Sequence, residues 1–237
     1  MLAIDTCEAR GSIAVLHDEE VLVPVVHSGV EEYSSWLLPT VEKALREASK
    51  SIVEVDLYAV TAGPGSFTGV RIGLTTVKAW NEVFGKPIAA VSRLEVLARE
   101  AGTDTNFVAA AISAQREQIF AALYRRAGNA LQLVEAEMVI APGEFINWAS
   151  EQAGAEGVAW ISTDAAMIEE QEAWRGRLSR GEEILSIPCV LAPLAGKVGF
   201  RKAQEGLTVD ALGLDANYVR RSYVEEPQKG PWNAPKR

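Results

Sequence analysis

The sequence has few of the residues that metal sites and disulfide frameworks require. Its 237 residues include two cysteines and two histidines. Cys7 and Cys189 stand far apart and do not form a disulfide framework, so a reducing cytoplasm is the expected location. His17 and His27 fall on neighbouring predicted strands, with no cysteine or carboxylate cluster at ligand spacing. We therefore predict no metal site in this chain.

Long apolar runs and a basic leader are also missing. The longest apolar runs are VLVPVV at 21–26 and FVAAAI at 107–112, far short of the roughly 20 residues that span a bilayer. The apolar segment LAID begins at Leu2 with no basic region before it, so we expect no signal peptide. A composition of 48% hydrophobic and 23% charged residues is typical of a globular protein, and we expect no membrane partner.

Positive charges are fewer than negative ones, since 23 lysines and arginines stand against 32 aspartates and glutamates, and the formal net charge is −9. A chain this acidic repels nucleic acid unless its basic residues gather on one face. Basic residues do collect near the C-terminus, in YVRR and PKR, but VEEP lies between them. The balance argues against an independent RNA-binding module. We expect residues 224–237, which carry three prolines, to be a disordered tail.

Short runs of valine, isoleucine and leucine alternate with longer helical patterns, which indicates an α/β protein. In the first half the pattern predicts three successive strands, then a helix that Ser34 or Ser35 caps, and then two strand–helix pairs. The predicted segments are strands at 2–5, 12–17, 20–26, 57–60 and 88–91, and helices at 34–48, 69–84 and 92–101.

The same order of elements begins again in the second half, which indicates an internal duplication. The predicted segments are strands at 107–112, 118–124, 131–139 and 158–162, and helices at 142–153 and 192–205. A polar turn cluster at 102–106 marks the junction. We therefore predict a first domain at 1–103, which the helix at 192–205 joins, and a second, smaller domain at 104–191.

The stretch GPGSFTGVRIG, residues 63–73, connects a predicted strand to a predicted helix. It is not a Walker loop, because Val70 stands where the lysine belongs, and its glycines are too widely spaced for the dinucleotide fingerprint. A glycine loop that leads into a helix still presents free N–H groups. Gly63, Gly65 and Arg71 are therefore candidates for weak anion binding.

The helix after this loop is apolar on more than one side. Gly69 and Gly73 are four residues apart, so they share a face that Thr76 or Val77 and then Trp80 continue. A helix with apolar residues on several sides needs a second cover besides its sheet. Two explanations remain open, namely burial within one chain or contact with a partner protein.

Four segments resemble one family, the bacterial TsaB family of threonylcarbamoyladenosine-biosynthesis proteins. They are LAIDT at the start, GPGSFTGVRIG, AAVSRLEVLA at 89–98 and ANYVRR at 216–221. The resemblance implies a duplicated ribonuclease-H-like fold, shared with sugar kinases, actin and Hsp70. It also implies a non-catalytic scaffold that helps to place threonylcarbamoyl on the adenosine beside the anticodon of certain tRNAs. In that family the chemistry belongs to the homologous partner TsaD, and the ATPase TsaE also takes part.

Several residues of this chain suit the scaffold better than the enzyme. TsaD holds its metal with a His-x-x-x-His pair, and the corresponding positions here are Arg93 and Leu97, which cannot ligate a metal. Glu8 stands in the turn that wraps phosphate in nucleotide-using members of the superfamily. Asp5 stands where the superfamily places a carboxylate near metal and phosphate, although it could equally cap the turn. We expect no cofactor on this chain, and we expect ATP or ADP and metal on the partner subunits. SAQR at 113–116 departs from the Asp-Ala-Arg of the family, so any role of that loop is in doubt.

The resemblance implies that helices of the first domain dock on a TsaD homologue. The residues predicted for this interface are Gly69, Gly73, Thr76, Val77 and Trp80 of the second helix, and Trp36, Leu37, Val41 and Leu45 of the first. We expect TsaE in the larger complex, tRNA contact only through that complex, and a homodimer as an alternative when the chain is alone. On this hypothesis Gly73→Leu or Trp80→Asp abolishes association and leaves the fold intact.

Other functions remain as alternatives. A nucleotide-dependent, small kinase-like enzyme of the same fold would use Asp5 and the glycine loop to position ATP and a metal. A peptidase is disfavoured, because no Ser/His/Asp grouping is apparent.

Overall fold

The computed structural model describes residues 1–101, 105–128 and 130–219. The predicted tail at 224–237 lies outside these residues. The first half forms β1 (Leu2–Asp5), β2 (Ser12–His17), β3 (Glu20–Val26), α1 (Tyr33–Glu47), β4 (Tyr58–Gly63), α2 (Phe67–Phe84), β5 (Ile88–Ser92) and α3 (Arg93–Glu100), with a short 3-10 turn at Ile52–Glu54.

The second half begins with strands, as the first does. It forms β6 (Phe107–Ser113), β7 (Ile119–Ala127), β8 (Ala130–Leu133), β9 (Met138–Ile140), α4 (Pro142–Ala153), β10 (Val158–Ser162), α5 (Ala166–Glu169), α6 (Glu172–Leu178), β11 (Ile184–Ser186) and α7 (Ala192–Gln204). Among the helices of the described residues, none is long and apolar enough to cross a membrane.

Each half builds one mixed sheet. The first has the strand order β3-β2-β1-β4-β5, and the second has the order β11-β10-β6-β7-β8, with β9 also paired to β7. In both sheets the first strand of the half lies in the middle, antiparallel to the second strand and parallel to a later one. The central strands β1 and β4 are buried along their whole length, whereas the edge strand β3 alternates between exposed and half-buried residues. The duplication predicted from the sequence is therefore visible as a repeated topology.

The helices form layers around and between the two sheets. α1 and α2 cover one face of the first sheet, where Leu37, Val60 and Val77 belong to one apolar core. α7 covers the opposite face of the first sheet, although it comes from the end of the chain. α3 packs on the second sheet, against strands such as β6 and β7. Helices α3 and α7 also touch each other, so they form a middle layer between the sheets.

Some of the predicted boundaries and elements are wrong. α1 begins at Tyr33 after Glu32, and neither Ser34 nor Ser35 caps it. The single strand predicted at 131–139 is two strands, because β8 pairs with the end of β7 and β9 with its beginning. The chain turns away from the sheet at 134–137, between these two pairings. The sequence also did not predict α5, α6 and β11.

Candidate functional site

The glycine loop lies directly against the turn between β1 and β2. The backbone N–H of Ser66 donates a hydrogen bond of 2.7 Å to the carbonyl oxygen of Cys7. A Cβ atom on Gly65 would collide with the same carbonyl, and a Cβ atom on Gly69 would collide with the carbonyl of Thr6. A Cβ atom on Gly73 would lie 2.6 Å from Thr6 Oγ1. These glycines are needed because two segments of the same backbone come into contact here.

This contact corrects the prediction that Gly69 and Gly73 face a partner protein. Both glycines are buried, and what lies against them is Thr6, whose hydroxyl donates a 2.6 Å hydrogen bond to the carbonyl of Gly69. A leucine at position 73 would displace the turn of its own chain, so the expectation that Gly73→Leu leaves the fold intact is wrong. Of the two explanations left open, burial within the chain is the one that holds for this face of α2.

The other residues predicted for the interface also lie mainly in the core. The buried ones are Trp36, Leu37, Val41, Leu45 and Val77. A side chain with so little exposed surface cannot contact a partner, so the prediction is wrong for these five residues. Thr76 and Trp80 are half-buried: Thr76 bonds back to the carbonyl of Ile72, and the ring of Trp80 lies 5.4 Å from that of Tyr58. Trp80→Asp would therefore disturb the core as well.

The surface that α1 and α2 present to solvent carries different residues. Leu38 on α1 is 55% exposed, and Phe67 and Val83 on α2 are 40% and 72% exposed. Thr75 and Ala79 lie on the same exposed side of α2 as Val83. We call these five residues the outer helix surface. These five side chains are uncharged and mostly apolar, so a protein contact could bury them at little cost in desolvation.

A buried ionic cluster lies beside the loop, where β1 ends and α3 begins. The side chain of Arg93 is 0% exposed, and its NH1 atom lies 2.8 Å from Glu8 Oε1. Arg93 Nε lies 3.5 Å from Asp5 Oδ2, an ionic contact that is too long and poorly aligned to count as a hydrogen bond. NH1 also donates to the carbonyl of Pro64 at 3.3 Å. One guanidinium thus joins the end of β1, the following turn and the glycine loop.

Asp5 contacts Arg93 of this cluster and also accepts a hydrogen bond from the backbone of its own turn. Its Oδ1 accepts hydrogen bonds from the backbone N–H of Cys7 at 3.0 Å and from Thr61 Oγ1 at 2.7 Å. The bond from Cys7 is the turn-capping role that the sequence left open for Asp5. Burial acts to lower the pKa of Arg93, but the charges of Asp5 and Glu8 outweigh it and hold that pKa above its ordinary value. Burial, and next the charge of Asp5, raise the pKa of the Cys7 thiol.

Two aromatic residues brace the turn from outside, and the sequence did not point to them. The Tyr33 hydroxyl donates to the carbonyl of Glu8 and accepts from the backbone N–H of Gly11. Burial raises the pKa of Tyr33 to about 12, so the hydroxyl stays protonated and able to donate. The ring of His27 stacks on Tyr33 with centroids 4.5 Å apart, and its Nδ1 lies 3.0 Å from the carbonyl of Ala9. The turn between β1 and β2 therefore contacts the glycine loop and also these two aromatic side chains.

The end of the described chain closes the glycine loop. The backbone N–H of Asn217 donates to the carbonyl of Ala62 at 2.8 Å, and a Cβ atom on Gly63 would lie 2.8 Å from the carbonyl oxygen of Asn217. Asn217 Nδ2 donates to Glu137 Oε2 at 2.7 Å, and Ser92 Oγ donates to the other oxygen of Glu137. Burial raises the pKa of Glu137. Gly63 has φ of 119°, which only glycine adopts easily.

The residues predicted for anion binding do not converge. Asp5 is held by Arg93, Gly63 by Asn217 and Gly65 by Cys7. Arg71 is exposed, and its Nε donates to the Tyr218 hydroxyl. The turn and the loop touch each other through the hydrogen bond between Ser66 and Cys7. In the described part of the chain, no group of three or more histidine, cysteine, aspartate or glutamate side chains could hold a metal ion, and Leu97 is buried in the apolar core.

Comparison with known proteins shows which protein family this chain resembles. A family model described as TsaD, tRNA N6-adenosine threonylcarbamoyltransferase, matches residues 21–169. The tRNA threonylcarbamoyladenosine biosynthesis protein TsaB of Bacillus subtilis is 26% identical over 229 residues, which are 95% of this chain and 96% of that protein. The chain belongs to the TsaB family. The resemblance that the four sequence segments indicated is confirmed.

Solved structures agree with this family and fold. A Pseudomonas aeruginosa protein described as similar to the peptidase YeaZ has a TM-score of 0.72 and 28% identity, and the match covers 92% of this chain and 98% of that one. The ROK hexokinase of Thermus thermophilus matches with a TM-score of 0.50 and 12% identity, over 84% of this chain and 97% of that one. The second likeness shows the fold alone. The prediction of duplicated ribonuclease-H-like halves for this TsaB-family chain is confirmed.

Proposed function

We propose that this chain is a non-catalytic scaffold subunit in the synthesis of threonylcarbamoyladenosine on tRNA. Its relative in Bacillus subtilis is named for that pathway. The observation that carries the non-catalytic role is the buried Arg93, whose guanidinium lies between Asp5 and Glu8. A fixed positive charge in this position neutralises the carboxylates that a metal or a metal-bound phosphate would otherwise engage.

The catalytic partner in this proposal is a TsaD homologue, bound through the outer helix surface. Leu38 and Val83 are among the most exposed large apolar residues of the first half of the chain. Solvated apolar side chains on two adjacent helices gain stability when a second chain covers them. A standard interface takes roughly 800 Å² from each partner, about what two helix faces provide. The buried glycine face of α2 acts indirectly, because it fixes the helix against its own β1–β2 turn.

The remaining components of the proposed complex follow from charge and chemistry. With a net charge of −9 the chain does not suit direct tRNA binding, so tRNA contacts belong to the complex. ATP or ADP and metal belong to the TsaD homologue and to the TsaE ATPase, and this chain itself carries no cofactor. We place the complex in the cytoplasm. Without its partner, the same outer helix surface could join two copies of this chain.

Two measurements test this function. Co-expression with the TsaD homologue of the same genome, followed by gel filtration, should give a stable heterodimer. Separate elution of the two chains at micromolar concentration would contradict the pairing. Calorimetry of the isolated chain with ATP and magnesium should give no heat of binding. Submicromolar binding with turnover would instead favour the kinase-like alternative.

A further inference from the structure

Arg71 stands at the exposed end of the outer helix surface and is held in one orientation. Its guanidinium carbon lies 3.6 Å from the centroid of the Phe67 ring, and its Nε donates a 3.0 Å hydrogen bond to the Tyr218 hydroxyl. The rings of Phe67 and Tyr218 also pack on each other, with centroids 5.4 Å apart. Two aromatic side chains from distant parts of the sequence therefore fix one arginine on the surface.

The charge of Arg71 is not matched by a carboxylate. Among the described residues, none of the aspartates and glutamates lies within ion-pair distance of it. The hydrogen bond to Tyr218 uses only Nε, which leaves the two terminal nitrogens of the guanidinium for another acceptor. A side chain fixed in this way loses little conformational entropy when it binds, and the planar fork matches a carboxylate with two parallel hydrogen bonds.

We propose that Arg71 anchors a carboxylate side chain of the partner protein, at the rim of the interface formed by the outer helix surface. This inference rests on the proposed pairing with a TsaD homologue. The occupant is a protein carboxylate and not RNA, because the chain has a formal net charge of −9, which repels a phosphate backbone. Lys78 is the only other cation on α2. Arginine beside aromatic rings is also the composition that binding hot spots favour.

The test measures the affinity of the full-length chain for the TsaD homologue at low and at high salt. Arg71→Met removes the charge and keeps the stem, and we expect it to weaken binding about 10- to 100-fold. Arg71→Lys keeps the charge without the fork and should recover only part of that loss. Lys78→Met makes the same change of net charge on the same helix, and it should change the affinity by less than about threefold.

Salt dependence separates an ion pair from a structural role. The wild-type affinity should fall as salt rises, and this dependence should become weaker in Arg71→Met. If Arg71 only holds Tyr218 in place, Arg71→Met and wild type would show the same salt dependence, which would overturn the inference. It would also be overturned if Glu225→Gln/Glu226→Gln in this chain reproduced the loss, since Arg71 would then pair with its own chain. If wild type itself does not bind the TsaD homologue, the proposed function fails, whereas an unaffected Arg71→Met rejects only the anchor.

Discussion

Replacing Arg93 by methionine tests the buried ionic cluster most directly. The change keeps most of the apolar stem but removes the charge, so Asp5, which is 1% exposed, would lose its buried counter-charge. Removing one member of a buried ion pair costs about 3–5 kcal/mol, a large part of the roughly 5–15 kcal/mol that stabilises a typical domain. Glu8 is partly exposed and can turn to solvent, so most of the loss should come from Asp5.

The assay is urea unfolding followed by tryptophan fluorescence. With a denaturant slope of about 2 kcal/mol/M, a loss of about 3 kcal/mol lowers the midpoint by about 1.5 M. The control is Arg201→Met, because Arg201 pairs with Glu19 at 2.8 Å but both side chains are nearly half exposed. Breaking that exposed pair should cost less than about 1 kcal/mol.

A second variant keeps the test decisive if Arg93→Met folds poorly. Asp5→Asn/Arg93→Met removes both charges and retains an oxygen that can accept the hydrogen bonds from Cys7 and Thr61. The double variant should therefore be more stable than Arg93→Met alone. Equal losses in Arg93→Met and Arg201→Met, or a double variant no better than the single one, would refute the account of the cluster.

Three further predictions concern the glycine face, the outer helix surface and Glu137. Gly73→Ala should cost about 1–3 kcal/mol in urea unfolding, because its Cβ would lie 2.6 Å from Thr6 Oγ1. For the solvent-facing control Ala79→Leu we expect a change within about 0.5 kcal/mol. A change that small in Gly73→Ala would contradict the contact. Val83→Asp should prevent co-elution with the TsaD homologue and leave the unfolding midpoint unchanged, whereas Val53→Asp, on an exposed residue outside both helices, should co-elute normally. Glu137 has a raised pKa in the folded chain, so its contribution to stability is complete below the ordinary value of 4.5 and is lost as the pH rises through the folded pKa. Stability measured from pH 4 to pH 7.5 should therefore fall less in Glu137→Gln than in wild type, and parallel curves would disprove this role.

Much of the fold could be predicted because apolar periodicity is strong where elements are buried on a sheet. Strands such as β1 and β2 have the predicted bounds, since runs of apolar residues end at polar turns. The segment between β10 and α7 was not predicted, because α5, α6 and β11 are short and none of them completes a clear apolar stripe. The separation of β8 and β9 depends on how β7 pairs along its length, which local sequence does not encode.

The sequence predicted some segments of the candidate site but not which residues contact each other there. The sequence identified the glycine loop as the connection between a strand and a helix, which are β4 and α2. It did not show that Gly69 and Gly73 face Thr6, because that contact joins residues more than 60 positions apart. Arginine is normally exposed, so nothing in the local pattern indicated that Arg93 would be buried. Apolar residues on α1 and α2 were likewise assigned to a partner, although the chain's own sheet covers them.

The middle layer of α3 and α7 limits how the two halves can be separated. The segment that precedes the junction at 102–106 supplies α3 to the second sheet, and the last described helix returns to the first sheet. A cut at the junction would leave α7 on the C-terminal fragment, away from the first sheet, and α3 on the N-terminal fragment, away from the second sheet. Each half of the chain thus relies on a helix from the other half to cover one face of its sheet, so we do not expect either half to fold alone.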